Sequence, residues 1–338
     1  MSLSQNVTLE METPRCVAVL IAAGSITLAV AVLPVYAYVI CLFLHKTRYA
    51  NNTAFWLMAN IGIIDCLFLL AIIQASLMTL TRSNLIPVVF EFSSAFHIVY
   101  EWVLHFLALI LALNRMLIIL DLEFRFCDLL FKILTYLIWI SILVLLFFFN
   151  KYDMNLVYVY DDNAFALNAC SKNREATSTV YDIYYYADLT TISSSFVCYL
   201  AVIVAIVAQK LQFRKGIKIE KHEIRVFFQG LVTFLPGAAY WGLNMLAAFK
   251  FSSASLAVNI IFSILPRLVP VLNVSGYLIL NSYVRESLAT CVQRLFCRKS
   301  PTVKSISLAS GNVNVTSVSV KSTGYTSDNL EIKELKEL

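Results

Sequence analysis

His97, Glu101 and His105 recur at intervals of four residues, the spacing that lines side chains along one face of a helix. Imidazole and carboxylate are ordinary zinc ligands. Spread over about 12 Å of helix rise, however, these three groups cannot close on one ion. The stripe suits ligand contact from the outer half of a bundle, or hydrogen bonding between helices. Two further ionisable residues stand alone inside apolar runs: Asp65, with Asn60 five residues before it, and Arg267, between Pro266 and Pro270. A charge at membrane depth is expensive, so each marks a functional-site hypothesis. Asp65 is read as a polar centre inside a bundle, or as a hydrogen-bonded group that holds helices together. Arg267 can pair with Glu101 or receive an anionic ligand group, and the two roles are compatible because a ligand can compete for the pair.

The elements that must position these residues follow from composition. The chain has 338 residues, 59% hydrophobic and only 14% charged, against about 25% charged in globular domains. Its mean hydropathy is +0.76. A soluble two-domain enzyme is excluded, and an all-α, polytopic membrane protein takes its place. A crossing helix needs about 20 mostly apolar residues. Seven runs meet this requirement: 16–44, 54–80, 92–113, 133–149, 189–208, 226–249 and 251–280. The charge of +5 is too modest and scattered for a nucleic-acid partner. Cys41, Cys66 and Cys198 lie within apolar runs, so the eight Cys are not a disulfide scaffold.

Lys and Arg in the connections set the orientation. With the N-terminus outside, the inner segments hold Lys46, Arg48, Arg115, Arg125 and Lys132, six cations between 210 and 225, and five between Arg285 and Lys304. The outer segments hold only Arg15, Arg82, Lys151, Lys172, Arg174 and Lys250. The expected order is an extracellular N-terminus (1–15), the seven-helix domain (16–280), an amphipathic juxtamembrane helix (281–299) and a disordered, Ser/Thr-rich cytoplasmic tail (300–338). The first run reads as a signal anchor rather than a cleaved leader, given its length and the acidic Glu10 and Glu12. Asn6 opens an N-glycosylation sequon. The connection 150–188 is long, acidic and rich in Tyr, and reads as a packed lid over the bundle mouth.

Several landmarks resemble those of rhodopsin-like G-protein-coupled receptors. Asn60 and Asp65 match the second-helix Asn…Asp pattern, and Asn114-Arg115-Met116 stands where those receptors carry Asp-Arg-Tyr. Trp139 lies in the fourth span. Phe234-Leu235-Pro236 resembles the sixth-helix kink, and Asn273-Val274-Ser275-Gly276-Tyr277 resembles the seventh-helix Asn-Pro-x-x-Tyr, with Val for Pro. There is no first-helix Asn at the expected place, no fifth-helix Pro and no Cys at the outer end of the third helix. These departures, the short basic third inner loop and the Leu280-Asn281-Ser282-Tyr283-Val284-Arg285 ending look like nematode serpentine chemoreceptors, in particular the Srg-type superfamily (Srx, Srt, Srv and relatives).

The resemblance implies a chemosensory receptor of the plasma membrane, of which a sensory cilium is one compartment, that turns binding of an external small molecule into activation of a heterotrimeric G protein. It implies no enzymatic activity, metal or cofactor. His97, Glu101, His105 and Arg267 are the candidate ligand residues. Asp65, Asn114, Arg115, Pro236, Asn273 and Tyr277 are the candidates for activation and G-protein coupling. Asn114 is neutral and can only hydrogen-bond to Arg115, so the usual acidic restraint is expected to be weaker, or moved to another residue such as Asp121 or Glu123. Cys297 is suited to palmitoylation. Phosphorylation of Ser and Thr between Ser305 and Thr323 would give an arrestin-like partner and a receptor kinase an anionic tail to act on. Cys16 and Cys170 are the candidate outer disulfide. The alternative reading is a seven-span transporter of a small polar solute, although broken helices repeated in two halves are not visible. An intramembrane enzyme would need a nucleophile–base pair or clustered metal ligands, which the four His and Asp65 do not supply.

Overall fold

Seven of the helices are long and apolar enough to cross a membrane. The computed structural model describes residues 14–45, 52–83, 87–122, 126–151, 156–159, 164–167, 174–211, 221–250 and 256–296. In chain order these are α1 (Arg15–His45), α2 (Thr53–Thr81), α3 (Pro87–Ile119), α4 (Cys127–Lys151), β1 (Leu156–Val159), β2 (Ala164–Leu167), α5 (Arg174–Leu211), α6 (Lys221–Lys250), α7 (Leu256–Leu280) and α8 (Ser282–Phe296). The chain divides after Gln293, and the unit that follows lies outside the described residues from residue 297 onward. The all-α expectation needs one addition. Within the connection 150–188, β1 and β2 pair antiparallel, with Leu156 opposite Leu167 and Val159 opposite Ala164.

Local chemistry fixes several helix ends. Asn52 caps α2, its side-chain oxygen accepting from the Ala54 amide at 3.0 Å, one of the amides a helix start leaves without a partner. Arg82 closes α2 in the left-handed region at φ 51°. Asn281 separates α7 from α8 and accepts the Val284 amide at 3.3 Å.

The helices sort themselves by what they expose. α2 and α3 are the most buried spans, and α3 packs against α2, α4, α5 and α6. α1 buries the small residues Ala18, Ala22, Ser25 and Ala29 along one stripe, which lets backbones approach closely where no hydrophobic force drives helices together. The outward faces stay apolar: Leu20, Leu143, Phe147, Val204 and Ile279 are each more than half exposed. Such a surface is stable against hydrocarbon rather than water. The protein is a multi-pass membrane protein.

Inside the bundle the contacts are tight. Asn60 on α2 accepts the Trp139 indole N–H of α4 at 2.9 Å and donates to the Trp56 carbonyl one turn back at 2.8 Å. On α7, a Cβ added at Gly276 would lie 2.7 Å from Val232 Cγ1 of α6. Gly276→Ala is therefore expected to destabilise the protein by about 1–3 kcal/mol through overpacking, seen as a lower unfolding midpoint in detergent. Gly24→Ala, where nothing lies within 4 Å, serves as the silent control. Equal midpoints for the two variants would contradict the α6–α7 approach.

Candidate functional site

The deepest polar centre is Asp65, fully buried on α2. Its Oδ2 accepts from the Tyr36 hydroxyl of α1 at 2.5 Å and from Asn273 Nδ2 of α7 at 2.9 Å; its Oδ1 accepts from the Tyr100 hydroxyl of α3 at 2.8 Å. Three other helices thus each send one neutral donor to a single carboxyl group. The Tyr36 hydroxyl is also 2.7 Å from the Pro270 carbonyl of α7, so its one proton faces two acceptors. Tyr100 is held flat against Phe68, with ring centroids 3.7 Å apart and planes 3° from parallel.

One helical turn away, His97, Glu101 and His105 remain on one face of α3 but find different partners. The His97 Nδ1–H donates to the Ser93 carbonyl at 2.9 Å, a bond within its own helix. Glu101 has the hydroxyls of Tyr184 (α5) and Tyr240 (α6) within hydrogen-bonding reach, and the charges of His105 and Asp188 act on it. The His105 Nδ1–H donates to Asp188 Oδ1 on α5 at 3.0 Å. Its other ring nitrogen lies 3.1 Å from where a Cβ on Gly237 would sit, so the imidazole bridges α5 and the Pro236–Gly237 step of α6. Asp188 is fully buried, and its Oδ2 has no partner among the described residues. Nearby, Tyr185 stacks on Trp241, with centroids 6.0 Å apart.

Arg267 is drawn elsewhere. It donates from Nη1 to the Ser263 carbonyl one turn back on α7, and its charge acts on His97. Glu101 meets hydroxyls of α5 and α6, while the Arg267 guanidinium is bonded along its own helix.

At the far end of α3, Arg115 is fully buried. Its Nη2 and Nε donate to the Asn114 side-chain oxygen at 2.6 and 3.1 Å. The neutral neighbour therefore binds the guanidinium directly, while Asp121 is exposed and Glu123 lies outside the described residues. On α5, α6 and α7 lie buried polar atoms that lack partners among the described residues: the Tyr199 hydroxyl, on which the Arg115 charge acts, both amide atoms of Gln229, the Tyr277 hydroxyl, and Asn273 Oδ1 beside Asp65. A Cβ at Gly230 would stand 3.0 Å from the Tyr199 hydroxyl and 3.4 Å from Leu111 of α3, so three helices converge here. An unsatisfied buried polar group costs about 1–3 kcal/mol. Such a cluster is where a bundle can gain by re-pairing.

Of the remaining candidates, Cys16 is a free, exposed thiol in the first turn of α1. Cys170, Asn6 and Cys297 lie outside the described residues, as does the tail. Four important residues escaped the sequence reading. Tyr36 and Tyr100 carry no signal beyond being Tyr in apolar runs. Tyr184 and Asp188 fell in the connection 150–188, because α5 begins at Arg174, well ahead of its apolar stretch. Neither a protein-family model nor a curated protein sequence matches this chain.

The Asp65 centre makes a direct prediction. Tyr36→Phe removes one donor to a buried carboxyl group and should cost about 1.5–3 kcal/mol, read as a lower unfolding midpoint of the purified protein. A variant as stable as the parent would show that the Tyr36 bond contributes nothing.

Proposed function

We propose that the chain is a rhodopsin-like G-protein-coupled receptor of the plasma membrane, N-terminus outside, that senses a small external chemical and activates a heterotrimeric G protein. The supporting observation is the layout of α3. Glu101 and His105 lie at the middle of α3, within a polar cluster shared with α5 and α6. Arg115 lies buried near its C-terminal end, about 21 Å along the helix from Glu101. The excess of Lys and Arg flanking the Arg115 end makes it the cytoplasmic one. The landmarks at Asp65, Arg115, Pro236, Asn273 and Tyr277 fit the same reading, and the serpentine chemoreceptor pattern makes it a sensory receptor.

The outer cluster defines the kind of ligand. Two carboxyl groups, Glu101 and Asp188, act on each other and both interact with the His105 imidazole, and Asp188 Oδ2 has no partner among the described residues. A protonated amine supplies the missing charge and donors, and Tyr184, Tyr240 and the Tyr185–Trp241 stack supply electron-rich rings and hydroxyls that favour a cation. Because His105 touches both Asp188 and the Gly237 position, a cation that draws Asp188 away loosens the hold of α5 on α6 beside Pro236. Movement of α6 then frees Arg115 and the unpartnered groups around it to pair anew. A ligand can drive this only by favouring the open form, and a shift from about 1% to 99% open needs roughly 10⁴-fold preference.

The test expresses the tagged chain in cells carrying G-protein dissociation sensors and screens small primary amines beside their alcohol isosteres. The expected result is a response to amines alone. Glu101→Gln and Asp188→Asn should each weaken that response about 30-fold or more, from a loss of at least ~2 kcal/mol in a buried charge pair, with surface expression retained. Failure to form a nucleotide-sensitive complex with any class of G protein, together with uptake of a solute, would favour the transporter reading.

A further inference from the structure

A cavity of about 410 Å³ opens where α6, α7 and α8 meet. It is lined by Ile224, Arg225 and Phe228 of α6, Ile279 and Leu280 at the end of α7, and Ser282 and Arg285 of α8. Its depth in the membrane is set by the helices that form it. The apolar stretch of α6 begins at Ile224 and that of α7 ends at Leu280 among the described residues, so the cavity lies where two apolar stretches stop, the level expected for the boundary between hydrocarbon and headgroups. Its two sides match the two sides of that boundary. Phe228 and Ile279 are exposed apolar side chains, Ile279 at 70%. Arg225 and Arg285 are exposed cations on two different helices.

Arg285 is not a loose surface residue. Its Nη1 donates to the Leu278 carbonyl at 3.0 Å and to the Ile279 carbonyl, the open acceptors at the end of α7. That anchor holds the guanidinium in the cavity wall, and Nη2 and Nε, which have no hydrogen-bond partner among the described residues, suit a planar, two-pronged contact. The carboxylate of Glu286 is the next residue along α8, but it is exposed and does not line the cavity.

We propose that this cleft binds an anionic phospholipid of the inner leaflet. The lipid phosphate is held between Arg225 and Arg285 with the Ser282 hydroxyl in reach, and an acyl chain lies along Phe228 and Ile279. Charge complementarity selects the occupant. The cytoplasmic leaflet is the negatively charged one, and a free anion would leave the apolar wall uncovered. The site requires only that these helix ends face the cytoplasm. It stands whether or not the outer cluster takes an amine. Its occupant would join α6 to the α7–α8 junction.

The test is native mass spectrometry of the full chain, released from nanodiscs that contain phosphatidylcholine alone or phosphatidylcholine with phosphatidylserine. The parent is expected to retain one phosphatidylserine, and Arg225→Gln to reduce that occupancy about fivefold or more. Arg285→Gln should do the same. Because that residue also caps α7, Arg225→Gln carries the decision. The paired change Arg298→Gln and Lys299→Gln, at two cations that follow α8 in the sequence, should leave occupancy unchanged. The proposal fails if phosphatidylcholine is retained equally, or if Arg225→Gln behaves as the parent. It also fails if the Arg298/Lys299 pair lowers occupancy as much, which would mean a diffuse basic belt, or if inorganic phosphate displaces the lipid, which would mean a simple anion site.

Discussion

A carboxyl group in the middle of a lipid-facing bundle must find every partner it needs within the protein, since hydrocarbon offers none. Asp65 meets that demand with three neutral donors from α1, α3 and α7. Each donor fixes the rotation of its helix about its own axis, because a turn of one residue would carry it away from the carboxyl group. The Asp65 centre is thus what aligns the bundle. With Tyr100 turned toward α2, residue 101 turns toward α5 and α6, and the Glu101–His105 face meets Asp188 and Gly237. The outer cluster inherits its position from the inner one.

The same accounting explains where the bundle can yield. Both oxygens of Asp65 are engaged by hydrogen bonds, whereas Tyr199, Gln229 and Tyr277 bring polar atoms into the interior that have no partner among the described residues. Arg115 leans on the amide of its own neighbour. A region that gains bonds by rearranging lies beside one that loses them. The proline at 236 and the close approaches at Gly230, Gly237 and Gly276 put α6 between the two, consistent with the switching element of the proposed receptor.

Much of this was legible in the residues themselves, and the rest was hidden for physical reasons. Long apolar runs with at most one Asp, Glu, Lys or Arg read as spans, so the seven crossings follow from composition, and Asn281 followed by an amphipathic segment marks α8. The four-residue spacing of His97, Glu101 and His105 shows that they share a face. Spacing within one helix, however, says nothing about which neighbour that face meets. Glu101 therefore looked as well suited to Arg267 as to anything else, while the structure gives it two phenols and an acid from α5 and α6. Asp188 was concealed for another reason: its helix starts in polar, Tyr-rich sequence that hydropathy reads as loop. The paired strands β1 and β2 were missed because four-residue apolar segments look alike in strand and helix. Tyr36 supplies the donor from α1, and only its distance to Asp65 shows this.

The account stands or falls on which end of α3 faces outward. Epitope tags at the two termini, stained in intact and then in permeabilised cells, measure this directly. The account predicts an N-terminal tag visible in intact cells and a C-terminal tag visible only after permeabilisation. Both tags in one compartment, or the reverse arrangement, would contradict it, because Glu101 and Asp188 could not then meet an external chemical while Arg115 faced the cytoplasm.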